Sequence, residues 1–248
     1  MEFTVLLLSA FVTSSISAVL GMGGGIILLG IMAIIIPEGY MVIALHGMIQ
    51  LFSNTTRTFI YKDGLNTEIL KQFLIGSIIG AIISGSIIAT IVSYLQVESA
   101  NQIKFEALKP LIGVFIIWYL FIKKKGEKRS SSFFLVGGIS GVSSIFIGAT
   151  GPLIAPFFLN KKLSKENIIA NKAACQTITH LTKIPLFIYF FNLDYIEEFD
   201  VLILLIVAVF VGTNVGKKIL GFIPEVLFKK LFRFVLFLIA LKLIAYNI

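Results

Sequence analysis

The sequence predicts an all-α polytopic membrane protein with two inverted-topology repeats, each containing one broken, re-entrant helical hairpin and three transmembrane helices. Of the 248 residues, 57% are apolar and only 14% are charged, a balance that would leave a soluble domain of this size with an apolar surface. Runs without charge, such as 75–91, 111–122 and 201–216, approach the roughly 20 residues that span the hydrocarbon core. Such runs fill the chain, so we predict a single membrane domain over residues 1–248.

Hydrophobic segments separated by polar stretches define the predicted helices. A basic run at 123–129 divides them into two sets, so we assign residues 1–122 to the first repeat, 123–132 to a connecting loop and 133–248 to the second repeat. In each set a long segment, a glycine-containing break and a short segment precede three full-length segments. The segments are 3–20, 26–36, 40–61, 68–94, 105–122, 133–147, 152–159, 166–192, 199–219 and 226–246.

Two local features limit other interpretations. Segment 3–20 resembles a signal peptide in its hydrophobicity, but no Lys or Arg precedes it and the glycine run after it is not typical of a cleavage site. We therefore expect it to remain in the membrane domain. Cys175 is the only cysteine, which excludes an intrachain disulfide and a cysteine-rich metal cluster. The row Gly76, Gly80 and Ser84 predicts close helix packing.

The charged loops predict the orientation of the segments, because Lys and Arg concentrate on the cytoplasmic side. The run 123–129, the lysines within 161–165 and the pair at 217–218 should be cytoplasmic, whereas the acidic loop 194–200 should be external. The net charge of +8 is then explained by cytoplasmic loops, and we expect no nucleic-acid partner.

Two hairpins follow from this orientation. Segments 133–147 and 152–159 should enter the membrane and return on the cytoplasmic side, because basic residues flank both. By analogy, segments 3–20 and 26–36 should form a hairpin on the outer side. Each half then has three crossings, an odd number, which inverts the second half relative to the first. Inverted repeats with interrupted helices are a recurring plan of transporters.

The breaks in the hairpins are the first candidate site, comprising Gly23, Gly24 and Gly25 in one half and Thr150 and Gly151 in the other. Irregular backbone is tolerated at membrane depth only beside protein or water, and the helix that follows points free N–H groups toward that space. We predict that these residues bind an anion. The alternative is that the glycines serve close packing. If they bind, Gly24→Leu should abolish transport in a protein that still folds.

A polar stripe in each half forms the second candidate site. Its residues follow the spacing i, i+4, i+8 and i+11, which places them on one helix face. The predicted substrate-binding residues are His46, Gln50, Asn54 and Arg57 in the first half and Lys172, Gln176, His180 and Lys183 in the second.

The chemistry of these stripes favours an anion, because neither contains Asp or Glu. Cations at the centre of a membrane helix are costly and are expected to face protein or water. Arg57 can bind two oxygens of a sulfonate or carboxylate at once, and Lys183 would act as a point charge. An open alternative is that Arg57 and Lys172 extend to the lipid headgroups.

These residues resemble the sulfite exporter TauE/SafE family, also called the transmembrane sulfite/sulfonate permeases. The resemblance lies in the duplication and in the early glycine motif of each half, with Gly21-Met22-Gly23-Gly24-Gly25 in the first. The second motif, Gly148-Ala149-Thr150-Gly151-Pro152, departs from that pattern. The resemblance implies transport of sulfite, sulfonates or related small anions, and it leaves the substrate and the direction open.

The sequence and the resemblance together predict a secondary transporter of a small anion, in the cytoplasmic membrane, that works by alternating access. A carrier for small carboxylates or other organic anions and an anion channel are the alternatives. We find no nucleophile–base–acid set and expect neither enzymatic activity nor a cofactor or bound metal. A coupling ion would be a proton, held most simply by His46 or His180, or a sodium ion held by carbonyls at the breaks. A homo-oligomer is compatible with the sequence.

Overall fold

The computed structural model describes residues 2–20, 24–103, 108–122, 132–159, 163–219 and 225–245. Within these ranges the backbone forms helices and connecting turns and no β-strand, which confirms the all-α prediction. The α-helices are α1 (Glu2–Leu20), α2 (Gly24–Ile35), α3 (Gly39–Ile60), α4 (Thr67–Leu95), α5 (Leu108–Ile117), α6 (Phe133–Phe146), α7 (Gly151–Leu159), α8 (Lys165–Phe191), α9 (Phe199–Ile219) and α10 (Glu225–Ile244). A π-helical turn, Trp118–Ile122, extends α5.

The surface of this bundle is apolar over long stretches of helix. Two described helices, Thr67–Leu95 and Phe199–Gly216, are long and apolar enough to cross a membrane by length and composition. Large side chains on them face outward, with Ile82 exposed to 62% and Phe210 to 56%. Soluble proteins do not leave continuous apolar faces of this size in water, so the bundle fits a polytopic membrane protein.

The helices pair across the two halves of the chain. α4 packs along α6 and α1 along α9, while α3 packs on α8 and α5 on α10. If each helix of the first half is replaced by its counterpart in the second half and the reverse (α1 with α6, and so on to α5 with α10), the pair α4–α6 becomes α9–α1. The pairs α3–α8 and α5–α10 stay as they are. This is the pairing that a duplicated chain would form, although the inverted repeat itself stays a prediction.

Close glycine contacts hold the first two of these pairs together. Gly76 and Gly80 of α4 lie against the backbone of α6, and Ser84 donates a hydrogen bond to the Val142 carbonyl at 3.4 Å. This confirms the packing role predicted for the row of small residues. In the equivalent pair, Gly212 and Gly216 of α9 lie against the backbone of α1.

Neighbouring glycines of α6 allow a direct test of this packing. A methyl group at Gly137 would collide with the Phe73 backbone of α4, whereas at Gly138 its nearest neighbour would be the Gly76 carbonyl oxygen at 3.7 Å. We expect Gly137→Ala to lower the free energy of unfolding by about 1–3 kcal/mol, the usual cost of overpacking. Gly138→Ala should leave it unchanged or raise it by up to about 1 kcal/mol, because alanine favours helix. Unfolding of both variants in detergent measures this, and equal loss in the two would contradict it.

The segment α6–α7 forms a hairpin. The rings of Phe133, at the start of α6, and Phe158, near the end of α7, lie 5.0 Å apart between centroids. The two helices therefore leave and return at the same end of the bundle, as the charge pattern predicts. Its placement relative to a membrane stays a prediction.

Side-chain contacts define the two ends of the bundle along α8. At one end, here called the Asn66 end, Asn171 accepts a hydrogen bond from the Asn66 amide at 2.7 Å and donates one to the Gly64 carbonyl at 2.8 Å. At the other, the Tyr40 end, the ring of Tyr40 stacks on Phe191 with 5.5 Å between centroids. α3 and α8 are thus antiparallel and run between the same two ends.

Candidate functional site

A small buried cavity lies where α3 and α8 meet the two breaks. Its volume is about 30 Å³, which accommodates about two water molecules. Residues from both halves of the chain line it, as the prediction of a shared central site requires. The lining consists of Ser17, Gly25, Ile26, His46, Gln50, Arg57, Ala149, Thr150, Gly151, Lys172, Gln176 and His180.

Most residues of the predicted site contribute to this lining. The nine that do so are Gly25, His46, Gln50, Arg57, Thr150, Gly151, Lys172, Gln176 and His180. Gly24, Asn54 and Lys183 are described but lie outside the lining. Gly23 lies outside the described residues.

Sequence reasoning missed three of the lining residues. Ser17 is the last of several hydroxyl residues in segment 3–20 and lies four positions before the glycine run, and this closeness to the break could have identified it. Ile26 and Ala149 carry no polar signal, because they reach the cavity only through their place beside the breaks.

The two break glycines that line the cavity have matching surroundings. A Cβ atom at Gly25 would lie 2.9 Å from Oε1 of Gln50, and one at Gly151 would lie 2.8 Å from Nε2 of Gln176. In each half, the first turn of the short helix thus approaches the glutamine of the long helix so closely that a side chain there would displace the glutamine amide. This shared contact is evidence that Gln50 and Gln176 are equivalent positions.

Gly24 has a different role from the one predicted for it. A Cβ atom there would collide with the Thr13 carbonyl of α1 and would lie 2.5 Å from Oγ of Ser17. Gly24 therefore permits close packing of α2 on α1 and does not face the cavity. The expectation that Gly24→Leu would leave a folded protein is wrong for this physical reason, because the leucine would separate the two helices.

Buried cations surround the cavity. Arg57 is exposed to only 4% and Lys172 to 2%, and both line the cavity. Arg57 donates a hydrogen bond of 2.7 Å to Oδ1 of Asn54, whose own amide donates to the Gln50 carbonyl at 2.8 Å. Asn54 thus orients Arg57 without facing the cavity. The interpretation that Arg57 extends to the headgroups does not fit this burial.

Lys183 lies next to the cavity but outside its lining. Its side chain is fully buried, and Nζ donates a hydrogen bond to the Ile43 carbonyl of α3 at 3.1 Å. The space for it comes from Gly47, where a Cβ atom would collide with Cε of Lys183. The lysine therefore occupies a gap in the α3–α8 interface.

No Asp or Glu occurs among the described residues that line the cavity. Burying a cation such as Arg57 away from water costs several kcal/mol unless opposite charge compensates it. A bound anion would supply that charge.

Three buried polar atoms of the lining make no hydrogen bond: Oγ1 of Thr150, Nδ1 of His46 and Nδ1 of His180. The two imidazole rings, one from each half, are 6.3 Å apart between centroids. Buried polar groups without partners are unusual and cost about 1–3 kcal/mol each. A small ligand with several polar atoms would satisfy them.

A second cavity, of about 300 Å³, lies at the Tyr40 end. Tyr40 and Phe187 are among its lining residues, and most of the others are apolar. On α8, Lys183 lies between Phe187 of this cavity and His180 of the central one. The buried amine of Lys183 therefore stands between the two cavities.

Comparison with known proteins yields one match. The family model described as Sulfite exporter TauE/SafE matches residues 6–243, a range that includes both breaks and both polar stripes. No curated protein and no solved structure matches the chain.

Proposed function

The chain belongs to the TauE/SafE sulfite exporter family, and on this premise we propose that it carries a sulfur oxyanion or an organosulfonate across the cytoplasmic membrane by alternating access at the central cavity. Membership makes the chain a membrane-embedded transporter for a sulfur compound such as sulfite, and not an enzyme. The identity of the anion and the mechanism are our proposals.

The observation that carries this proposal is a buried cavity lined by Arg57 and Lys172, with no Asp or Glu among its described lining residues. An oxyanion would neutralise these cations and accept hydrogen bonds from them. The planar guanidinium of Arg57 can donate to two oxygens at once. The amides of Gln50 and Gln176 can donate to the remaining oxygens.

The position of the cavity supports alternating access. Each half of the chain supplies one break and one polar stripe to its lining. Transporters built from inverted repeats bind substrate at the repeat interface, beside interrupted helices. Rocking of one half against the other would then open the site to each side in turn.

A transport assay tests the proposal against its alternatives. We expect purified protein in liposomes to take up labelled sulfite with saturable kinetics and to exchange it for internal sulfite. Methanesulfonate should compete, and acetate should compete weakly, because two carboxylate oxygens leave part of the site unfilled. Strong competition by acetate alone would favour a carboxylate carrier, and voltage-driven flux without saturation would favour an anion channel.

Adjacent glycines of the first break provide a more local prediction. Gly25→Ala places a methyl group against the flexible end of Gln50, so the variant should fold and bind anion roughly 2- to 10-fold more weakly through loss of one hydrogen bond. Gly24→Ala collides with the Thr13 backbone and should reduce the yield of folded protein. Size-exclusion profiles and binding titrations of both variants measure this. Normal affinity in Gly25→Ala would remove the first break from the site.

A further inference from the structure

The hydrogen bond of His46 fixes which ring nitrogen carries hydrogen when the ring is neutral. Nε2 lies 2.8 Å from the Gly25 carbonyl oxygen. A carbonyl oxygen can only accept, so Nε2 must be the donor. In a neutral imidazole the other nitrogen then has a lone pair and no hydrogen. His46 therefore presents Nδ1 as an acceptor, and Nδ1 is buried without a hydrogen-bond partner.

An unprotonated oxyanion cannot satisfy this nitrogen. The oxygens of sulfite dianion or of a sulfonate are acceptors only, and two lone pairs facing each other repel. A neutral His46 is thus a poor partner for the anion that the neighbouring cations attract. Protonation of Nδ1 would turn the same atom into a charged donor, and such hydrogen bonds are the stronger class.

The charged groups near His46 that the structure describes are cations. His180 and Lys183 of α8 are close enough to act on the ring electrostatically, and Arg57 and Lys172 line the same cavity. None of these groups is acidic. The backbone of Gly148, from the second break, also lies beside the ring. The proton alone is repelled by the cations, and the anion alone meets a lone pair.

We propose that the anion binds together with one proton, which Nδ1 of His46 holds against an anion oxygen, so that the protein is a proton–anion cotransporter. The proton comes from solution and forms an N–H bond with the Nδ1 lone pair, and it leaves with the anion on release. When the ligand is hydrogen sulfite, its own proton takes the same position between oxygen and Nδ1. This inference rests on the proposed function, because it takes the central cavity as the anion site.

Calorimetry of the purified protein measures the proton directly. Sulfite is titrated into the protein at a pH where it is the dianion. Methanesulfonate, which has no titrating group near neutral pH, is titrated separately. Each titration is done in two buffers that differ in ionisation enthalpy. We expect uptake of about one proton per anion in the wild type. His46→Gln keeps a donor for the Gly25 carbonyl but cannot titrate, so its uptake should be lost. His180→Gln, at the only other histidine, should retain the uptake even if its affinity falls.

The outcomes separate this inference from the proposed function. Binding without proton uptake in the wild type would overturn the inference and leave anion transport intact. Uptake that persists in His46→Gln, or that disappears only in His180→Gln, would overturn the assignment to His46. Binding of neither probe would count against the proposed function itself. If His46→Gln does not fold, wild-type protein in liposomes still decides, because a gradient of methanesulfonate, which does not itself bind protons near neutral pH, must acidify the interior if a proton enters with the anion.

Discussion

Replacement of Arg57 by glutamine should weaken anion binding by about 10- to 150-fold, because a hydrogen bond to a charged group contributes about 1.5–3 kcal/mol and about 1.4 kcal/mol is a factor of ten. Arg57 lines the central cavity and is exposed to only 4%. Its loss therefore removes charge at the site itself. Asn54 accepts one hydrogen bond from the guanidinium, which directs the side chain and limits its freedom before the anion arrives.

Two further variants make this prediction specific. Arg57→Lys should recover only part of the affinity, because an ammonium cannot reproduce two parallel hydrogen bonds from one planar group. Lys71→Gln removes the same charge from an exposed position on α4 and should leave affinity unchanged. Titration of sulfite into the purified variants measures all three. Equal dissociation constants for Arg57→Gln and the wild type would show that Arg57 does not contact the anion.

The fold was largely predictable because each signal was local. Hydrophobic runs predicted the helices to within a few residues, and the row Gly76, Gly80 and Ser84 predicted a packing surface. The partner of that surface was not predictable. That α4 packs on α6, and α1 on α9, depends on contacts between distant parts of the chain, which local periodicity does not report.

The candidate site was predictable to the same extent. Helical spacing grouped His46, Gln50 and Arg57 on one helix face, and all three line the cavity. It could not separate Gly24 from Gly25, because which of two adjacent glycines faces α1 depends on how the hairpin folds. Nor could it show that His46 bonds to the Gly25 carbonyl, a contact between helices α2 and α3 that depends on their packing.

Lys183 shows the same limit of prediction from helical spacing. Spacing placed it on the stripe with Gln176, yet its amine turns toward α3 and bonds to the Ile43 carbonyl. The reason is Gly47, whose missing side chain leaves room for the lysine where α3 and α8 cross. A glycine in one half thus determines the position of a cation in the other, and no pattern within either half reveals that.

Because of this position, we expect replacement of Lys183 to have a large effect on the rate of transport. Its amine lies between the central cavity and the cavity at the Tyr40 end, so we expect an anion that moves between them to pass it. If the ammonium leaves Ile43 and donates to the passing anion, it lowers the barrier by the 1.5–3 kcal/mol of a charged hydrogen bond, or about 10- to 150-fold in rate. Lys183→Gln should slow transport by that factor while changing equilibrium affinity less than Arg57→Gln does.

Transport rates and equilibrium titrations of the same preparations test this division of roles. Gly47→Ala offers a second route, because its methyl group collides with Cε of Lys183 and displaces the amine without removing its charge. If the position of the amine matters, Gly47→Ala should also transport slowly; if only the charge matters, it should transport normally. A Lys183→Gln variant that transports at the wild-type rate would exclude Lys183 from the path. The anion would then have to reach the Tyr40 end by a path that avoids the buried amine of Lys183.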